Sequence, residues 1–262
     1  MNHKFTAIIQ ARTGSSRYRN KVLKTIMKKP ILFHIIRRLQ QSKFISSVVV
    51  ATTDRNEDMI LKQICDISKI NIFFGSTNDV LDRYFHAAKT FNSQYIVRIT
   101  ADSPVIDHRI VDEALNKFQK DDVDYLSNWL VKSFPEGISV EVFSFEVLKK
   151  AWEESRWTSE REHVTPYIWK NPERFKLGVL TNHRGDQSEI RLTLDYPRDL
   201  LLIRKIYENL FPSNPYFGLD DILDLLEKNP FLRKINNDIP KYEGYAKSLE
   251  LDILLSEKEK KN

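Results

Sequence analysis

Four cations, Arg12, Arg17, Arg19 and Lys21, crowd a short polar stretch that directly follows the apolar run Phe5 to Ile9. Gly14, Ser15 and Ser16 lie between them, and Gln10 and Ala11 lead in. A loop of this kind can wrap backbone N–H groups and several cations around one polyphosphate. It is neither of the common phosphate loops, because a single glycine cannot satisfy G-x-x-x-x-G-K-[ST] or G-x-G-x-x-G. On composition alone a solvated basic turn is the favoured reading. Two carboxylates change the balance. Asp102 follows the apolar run ending at Ile99, and Asp195 follows Leu194. A basic loop converging with two separated carboxylates is the chemistry of a metal-bound polyphosphate, since Mg²⁺ takes one or two carboxylates and completes its shell with phosphate oxygens and water. Arg12 and Lys21 would then bear the phosphates that leave.

The elements that must position these groups are given by hydrophobic periodicity. In the first half, short apolar runs (5–9, 48–51, 70–74, 95–99) alternate with helical faces: Ile31 to Leu39, Met59 to Ile67, Val80 to Ala88 and Ile110 to Phe118. Continuous apolar strands between amphipathic helices predict a mostly parallel sheet covered on both faces, an α/β three-layer Rossmann-like fold. Ligands in such sheets bind outside the carboxyl ends of the strands, which is where the loop, Asp102 and Asp195 fall. The second half is less regular. It predicts strands at 138–143, 175–180 and 190–194, and helices at 145–152, 197–210 and 219–226. A weaker helix at 160–169 is interrupted by Pro166. One domain over 1–250 is the economical reading, with a protruding segment at about 125–175 and a charged tail at 251–262.

Composition excludes several classes. The 262 residues carry 41 basic and 36 acidic side chains, interspersed, for a net charge of +5. No basic block or aromatic-rich strand pattern argues for nucleic acid. Cys65 is the single cysteine, so no disulfide can form within the chain, and no Cys/His metal spacing exists. With no signal-peptide core and no apolar run of membrane-spanning length, the expectation is a soluble cytoplasmic protein without membrane insertion.

In order along the chain, AIIQARTGSSRYRNKVL, VVVATTDRNED, GSTNDVLDRYFHAA, VRITADSPVID, SEREHVTPYIW and LTLDYPRDLLLI, through NPYFGLDDIL to KYEGYAKSLE, resemble the spore-coat polysaccharide cytidylyltransferase-like family. That family is a branch of the sugar-acid cytidylyltransferases, with the CMP-Kdo and CMP-sialic acid synthetases. The resemblance implies CTP as donor, Mg²⁺, a small acidic sugar as acceptor and a homodimer. The family's first loop looks like A-R-x-G-S-x-R-L-P-G-K; Ala11, Arg12, Gly14, Ser15, Arg17 and Lys21 match. Tyr18-Arg19-Asn20 replaces Leu-Pro-Gly, which removes a residue that fixes φ and one that permits positive φ. Asn20 is the least costly non-glycine residue for a left-handed position.

The same resemblance implies roles. Arg12, Lys21 and Asp102 are catalytic, and Asp102 and Asp195 are Mg²⁺ ligands. Gln10, Ala11, Arg12, Gly14, Ser15, Arg17 and Lys21 bind the nucleotide, with Asp82 and Arg83 at its base or ribose. Glu136, Glu141, Arg161 and His163 face the sugar, His163 as a conceivable general base. Each has a plainer alternative: Asp102 and Asp195 could cap helices, as could Asp79. Asp199 reads as a partner of a helix dipole, and His163 as a structural histidine. The tryptophans read as core or dimer contacts. The expected reaction is transfer of CMP from CTP to a hydroxyl of a 2-keto sugar acid with release of pyrophosphate, for surface polysaccharide. The rival readings are a sugar-1-phosphate nucleotidyltransferase and a metal-dependent glycosyltransferase. The second would need a D-x-D motif, and Asp122-Val123-Asp124 sits after a helix rather than at a strand end.

Overall fold

The computed structural model describes residues 3–256. Its sheet has seven strands: β1 (Phe5–Gln10), β4 (Ile45–Thr53), β5 (Asn71–Gly75), β6 (Tyr95–Thr100), β7 (Tyr125–Ser127), β8 (Glu141–Ser144) and β9 (Leu177–Val179). A small hairpin, β2 (Thr25–Ile26) and β3 (Lys29–Pro30), stands apart. The spatial order is β5-β4-β1-β6-β8-β7-β9. The first four strands are parallel; β8 runs antiparallel to both β6 and β7, and β9 is parallel to β7. The mostly parallel sheet is therefore as expected, with one reversed strand in its second half.

Period-two alternation divides the strands between two cores. Ala7 and Ile9 of β1 point with Val48, Val50, Val97 and Ile99 toward one face. There they meet α1 (Ile31–Leu39), α2 (Ile60–Ser68), α4 (His108–Asp121), α8 (Pro197–Leu210) and α9 (Leu219–Lys228). Ile8, Val49, Ala51 and Ile96 face the other side, against α3 (Val80–Thr90), α5 (Phe145–Glu154) and the segment holding α6 (Thr158–His163) and α7 (Pro166–Trp169). Both faces are covered, which is why the central strands read as unbroken apolar runs.

The second half departs from expectation in identifiable ways. The strand expected at 190–194 is reduced to one bridge, Glu136↔Arg191. The Leu192 N–H goes to the Glu136 carbonyl at 2.7 Å and the Leu194 N–H to the Asp102 carbonyl at 2.8 Å, so two segments share this backbone and no ladder forms. Gly137 makes the approach possible: at φ +99° it lies so close that a Cβ would sit 2.4 Å from the Thr193 nitrogen. Pro166 splits the helix expected at 160–169 into α6 and α7. Within 125–175, β7 and β8 belong to the sheet rather than protruding from it.

Two further helices, α10 (Pro230–Arg233) and α11 (Glu243–Glu250), complete the fold. Of the expected tail, 251–256 is tied down. The Leu255 N–H bonds to the Arg156 carbonyl, and Asp252 accepts from Ser159 N–H and Oγ. The charged run from Glu257 onward lies outside the described residues. Among the described residues no helix is long and apolar enough to cross a membrane.

Candidate active site

The loop from Ala11 to Asn20 joins the carboxyl end of β1 to a 3-10 turn at Lys21–Leu23. Its course is fixed by Asp58, the last residue of the VVVATTDRNED stretch. Asp58 is buried, and it accepts from the Thr13 N–H at 2.6 Å, the Thr13 hydroxyl at 2.7 Å and the Thr53 hydroxyl. The loop base is thereby pinned to the end of β4. The Asn20 N–H closes back on the Thr13 carbonyl at 2.9 Å, and Asn20 is left-handed (φ 58°, ψ 25°). Asparagine here takes the conformation that glycine would otherwise supply, so the turn survives the loss of a Pro-Gly pair. Arg12 and Gly14 are exposed and Ser15 is half-buried.

Lys21 instead turns inward. Its ammonium donates to Asp102 Oδ2 at 3.1 Å and to Asp195 Oδ1 at 2.8 Å, and Arg17 Nη2 reaches the same Asp195 oxygen at 2.7 Å. Residues far apart in the chain thus form one charged knot beyond the carboxyl ends of β1 and β6. Burial alone would lower the Lys21 pKa, but the two carboxylates outweigh it and raise it. Burial would likewise raise the Asp195 pKa; Lys21 and Arg17 prevail and hold it below the ordinary carboxylate range. Neither carboxylate caps a helix. Asp107 caps α4, and Asp199 accepts from the Asp195 and Tyr196 N–H groups, each at 2.9 Å, at the start of α8.

Asp199 does more than complement a dipole. Fully buried, it also binds Arg191 Nε at 3.0 Å and the Asn236 amide at 2.8 Å. Arg191, itself 3% exposed, then reaches Glu136 Oε2 at 2.7 Å and Asp195 Oδ2 at 3.4 Å. A buried arginine therefore fixes the second oxygen of Asp195. The pattern gave little warning of this, because Arg191 looked like one polar residue in a strand.

A cleft of about 470 Å³ opens beside the knot. Arg17, Asp102 and Asp195 line one end. Glu136, Glu141 and His163, the residues expected to face the sugar, also line it, but each already has partners. Glu141 is buried on Arg98, with the Tyr125 hydroxyl at 2.9 Å on its other oxygen, and Arg98 also donates to the Gln10 side chain at 3.1 Å. Glu136 is held by Arg191 and by the Tyr242 N–H at 3.1 Å; burial, opposed by Arg191, lifts its pKa. His163 Nε2 lies 2.9 Å from the Ser248 hydroxyl, and burial, reinforced by Arg98 and Arg17, lowers its pKa to about 4. It is a neutral imidazole and a weak base at neutral pH.

Three further expected site residues make contacts outside this cleft. Asp82 Oδ1 accepts from Trp152 Nε1 at 2.9 Å, on an indole stacked against Phe85. Arg83 is buried and donates to the Ser76 carbonyl at 2.6 Å. Arg161 pairs with Asp79, which caps α3 through the Asp82 N–H at 2.8 Å, so it ties α6 to that helix. None of the three lines the cleft.

The tryptophans hold a further departure. Trp129 and Trp169 line the cleft edge-to-face, their rings 5.2 Å apart, with Tyr245 beyond at 5.8 Å from Trp169. Among the cleft's cations, Arg17 and Arg98 are ion-paired, whereas Lys132 has no carboxylate within bonding reach among the described residues and rests 5.6 Å from the Tyr242 ring centre. The D-x-D letters, finally, are a helix end: Asp122 terminates α4 in a left-handed conformation, and Asp124 accepts from the Lys176 N–H.

Comparison with known proteins gives the chain's family and fold. Residues 6–235 match the cytidylyltransferase family. The structure superposes on a cytidylyltransferase from Leptospira borgpetersenii with a TM-score of 0.84 at 33% identity, covering 92% of this chain and 99% of that one. The spore coat polysaccharide biosynthesis protein SpsF of Bacillus subtilis is 29% identical over 229 residues, 85% of this chain and 94% of its own. A shorter stretch of 118 residues is 32% identical to the 3-deoxy-manno-octulosonate cytidylyltransferase of Geotalea daltonii, covering 45% and 46% of the two chains.

Proposed function

The chain belongs to the cytidylyltransferase family and is a nucleotidyltransferase. Within that family we propose that it transfers CMP from CTP to a hydroxyl of a small acidic sugar, of the 2-keto acid type, releasing pyrophosphate. The observation that carries the reading is the knot itself: Lys21 between Asp102 and Asp195, at the mouth of a cationic loop and the end of a cleft. The names of two relatives, one acting in spore coat polysaccharide biosynthesis and one on 3-deoxy-manno-octulosonate, support a sugar acceptor and a role in surface polysaccharide.

The loop's backbone N–H groups, Ser15, Arg12 and Arg17 would cradle the triphosphate, with Gln10, Ala11 and Gly14 shaping the approach. The sugar hydroxyl attacks the α-phosphorus as its proton passes to solvent water, and a new P–O bond forms in line. The bond from the α-phosphorus to the oxygen it shares with the β-phosphate breaks, that oxygen leaving with pyrophosphate. Lys21 and Arg12 stabilise the charge gathering on the departing pyrophosphate. For this Lys21 must turn from the carboxylates toward phosphate, a short swing for a flexible ammonium.

Asp102 and Asp195 fit a hard divalent cation. Their oxygens, two hard carboxylate donors, already converge on one positive charge. That is the donor set of an ion that takes its remaining ligands from substrate phosphate and water. When bound, Mg²⁺ would lower the hydroxyl's pKa and neutralise charge on the α-phosphate. We read the chain further as a cytoplasmic homodimer.

The test is pyrophosphate release with each nucleoside triphosphate against a panel of 2-keto sugar acids and sugar 1-phosphates. CTP-dependent release with a sugar acid, giving a product with one phosphate, is expected. A two-phosphate product, or release of a nucleoside diphosphate, would overturn it in favour of an NDP-sugar synthase or a glycosyltransferase.

A further inference from the structure

The family match ends at residue 235, yet the cleft does not. Tyr242, Gly244 and Tyr245 come from the segment after it, and α11 carries the last two across the acceptor end. The segment is held in place at several points. The Tyr242 N–H bonds Glu136, the Tyr196 hydroxyl donates to Glu243 at 2.5 Å, and Ser248 bonds both His163 and Glu162. Arg17, the partner of Asp195, packs against Gly244, where a Cβ would sit 3.2 Å from its Nη1. Beyond α11, Asp252 ties the chain to Ser159.

Within this wall, two polar groups have nothing to bond. The Trp169 indole N–H and the Tyr245 hydroxyl are both buried and have no hydrogen-bond partner among the described residues. Buried donors are nearly always satisfied in folded proteins, so orphans at a cleft point to a ligand or water that belongs there. These two sit on rings that meet each other, with Trp129 behind and Pro166 beside them. Donors set in an apolar aromatic surface suit a group that is itself apolar but carries an accepting oxygen, as an acyl substituent does.

We infer that Trp169 and Tyr245 determine acceptor specificity, and that the C-terminal segment carrying Tyr245 makes this enzyme select a sugar with an apolar, oxygen-bearing substituent. Lys132, unpaired by carboxylate at the same cleft, is the cation free to meet the sugar's acid group. The inference rests on the transfer reaction proposed above and adds the face of the acceptor that is read.

Steady-state pyrophosphate release with CTP and two probe acceptors, N-acetylneuraminate and 3-deoxy-manno-octulosonate, tests it. The first carries an acylamino group and the second does not. Wild type should favour the first in kcat/KM. Tyr245→Phe removes only the hydroxyl, and Trp169→Phe only the N–H and one ring. Each should raise the acceptor KM about five- to tenfold, as loss of one hydrogen bond does. The preference between probes should narrow while the KM for CTP stays within about twofold. A merely structural role would move the CTP KM and the melting temperature together. Unchanged acceptor KM in both variants, or an equal rise for both probes, overturns the inference while leaving CMP transfer intact. Absence of CTP-dependent release with every acceptor overturns the transfer reading, and this inference with it.

Discussion

The two ends of the cleft are built by opposite means. At one end Lys21, Arg17, Asp102 and Asp195 are joined by short ion pairs, with the buried Arg17 Nε–H left unbonded among the described residues, and Asp58, Asp199 and Arg191 brace them from behind. At the other, Trp129, Trp169 and Tyr245 offer apolar surface, and two polar groups remain unspent. The charged end is anchored to the parallel half of the sheet: β1 leads into the loop of Arg17 and Lys21, β6 into Asp102, and the irregular segment before α8 brings Asp195 beside them. The aromatic end is assembled from a loop after β7, α7 and the C-terminal segment. Chemistry that must not move is thus tied to strands, and recognition that can differ between relatives is carried by connections.

That division can be broken first at the charged end. Asp195→Asn and Lys21→Met should each lower kcat by about 10²–10³ with either sugar probe, because they remove charge stabilisation that the transition state needs. Pyrophosphate release measures it, and a loss confined to acceptor KM would refute the assignment. Arg191→Met should come next, destabilising the fold by about 3 kcal/mol, since it leaves Asp199 and Glu136 buried without their cation. Urea unfolding checks this; Arg191→Lys should recover part of the loss. Asn20→Val should cost about 1–2 kcal/mol through its left-handed backbone, while Asn20→Gly should be neutral or slightly stabilising.

The smallest effect concerns pH. Asp195 has a depressed pKa in the fold, so its contribution is complete above its ordinary pKa of about 3.9 and is lost as pH falls through the lower folded value. The raised Lys21 pKa acts in the other direction: its contribution is complete below about 10.4 and fades as pH climbs through the folded value. The melting-temperature gap between wild type and Asp195→Asn should therefore stay flat from about pH 5 to 9 and close below about pH 4. A gap that widens on acidification would contradict the ion-pair account.

The charged end was more legible in the sequence than the aromatic one, for physical reasons. Strand ends in a parallel sheet are visible as apolar runs, and ligands bind at the residues just past each run. Asp102 lies at such a place, Lys21 closes the loop that leaves β1, and Asp195 follows an apolar run that forms only a bridge. Asn20 was legible too, as the residue able to stand in for glycine. The aromatic wall was not, because Trp129 and Trp169 have the composition of core residues and Tyr245 sits in a helix with no buried face to give it a pattern. Arg191 and Asp58 act through contacts across long sequence separations, which no local periodicity reports. Asp82 and Arg83 carry a different lesson: charged residues near a binding motif also hold the fold, through Trp152 and the Ser76 carbonyl.

The most direct test of the central claim is metal binding, read without turnover. Mn²⁺ electron paramagnetic resonance, titrated with and without CTP, should show one tightly held ion per chain when CTP is present. That ion should be lost in both Asp102→Ala and Asp195→Ala, with CTP binding itself only weakened. Two variants that keep the bound ion unchanged would contradict a site in which these carboxylates and Lys21 share one metal triphosphate.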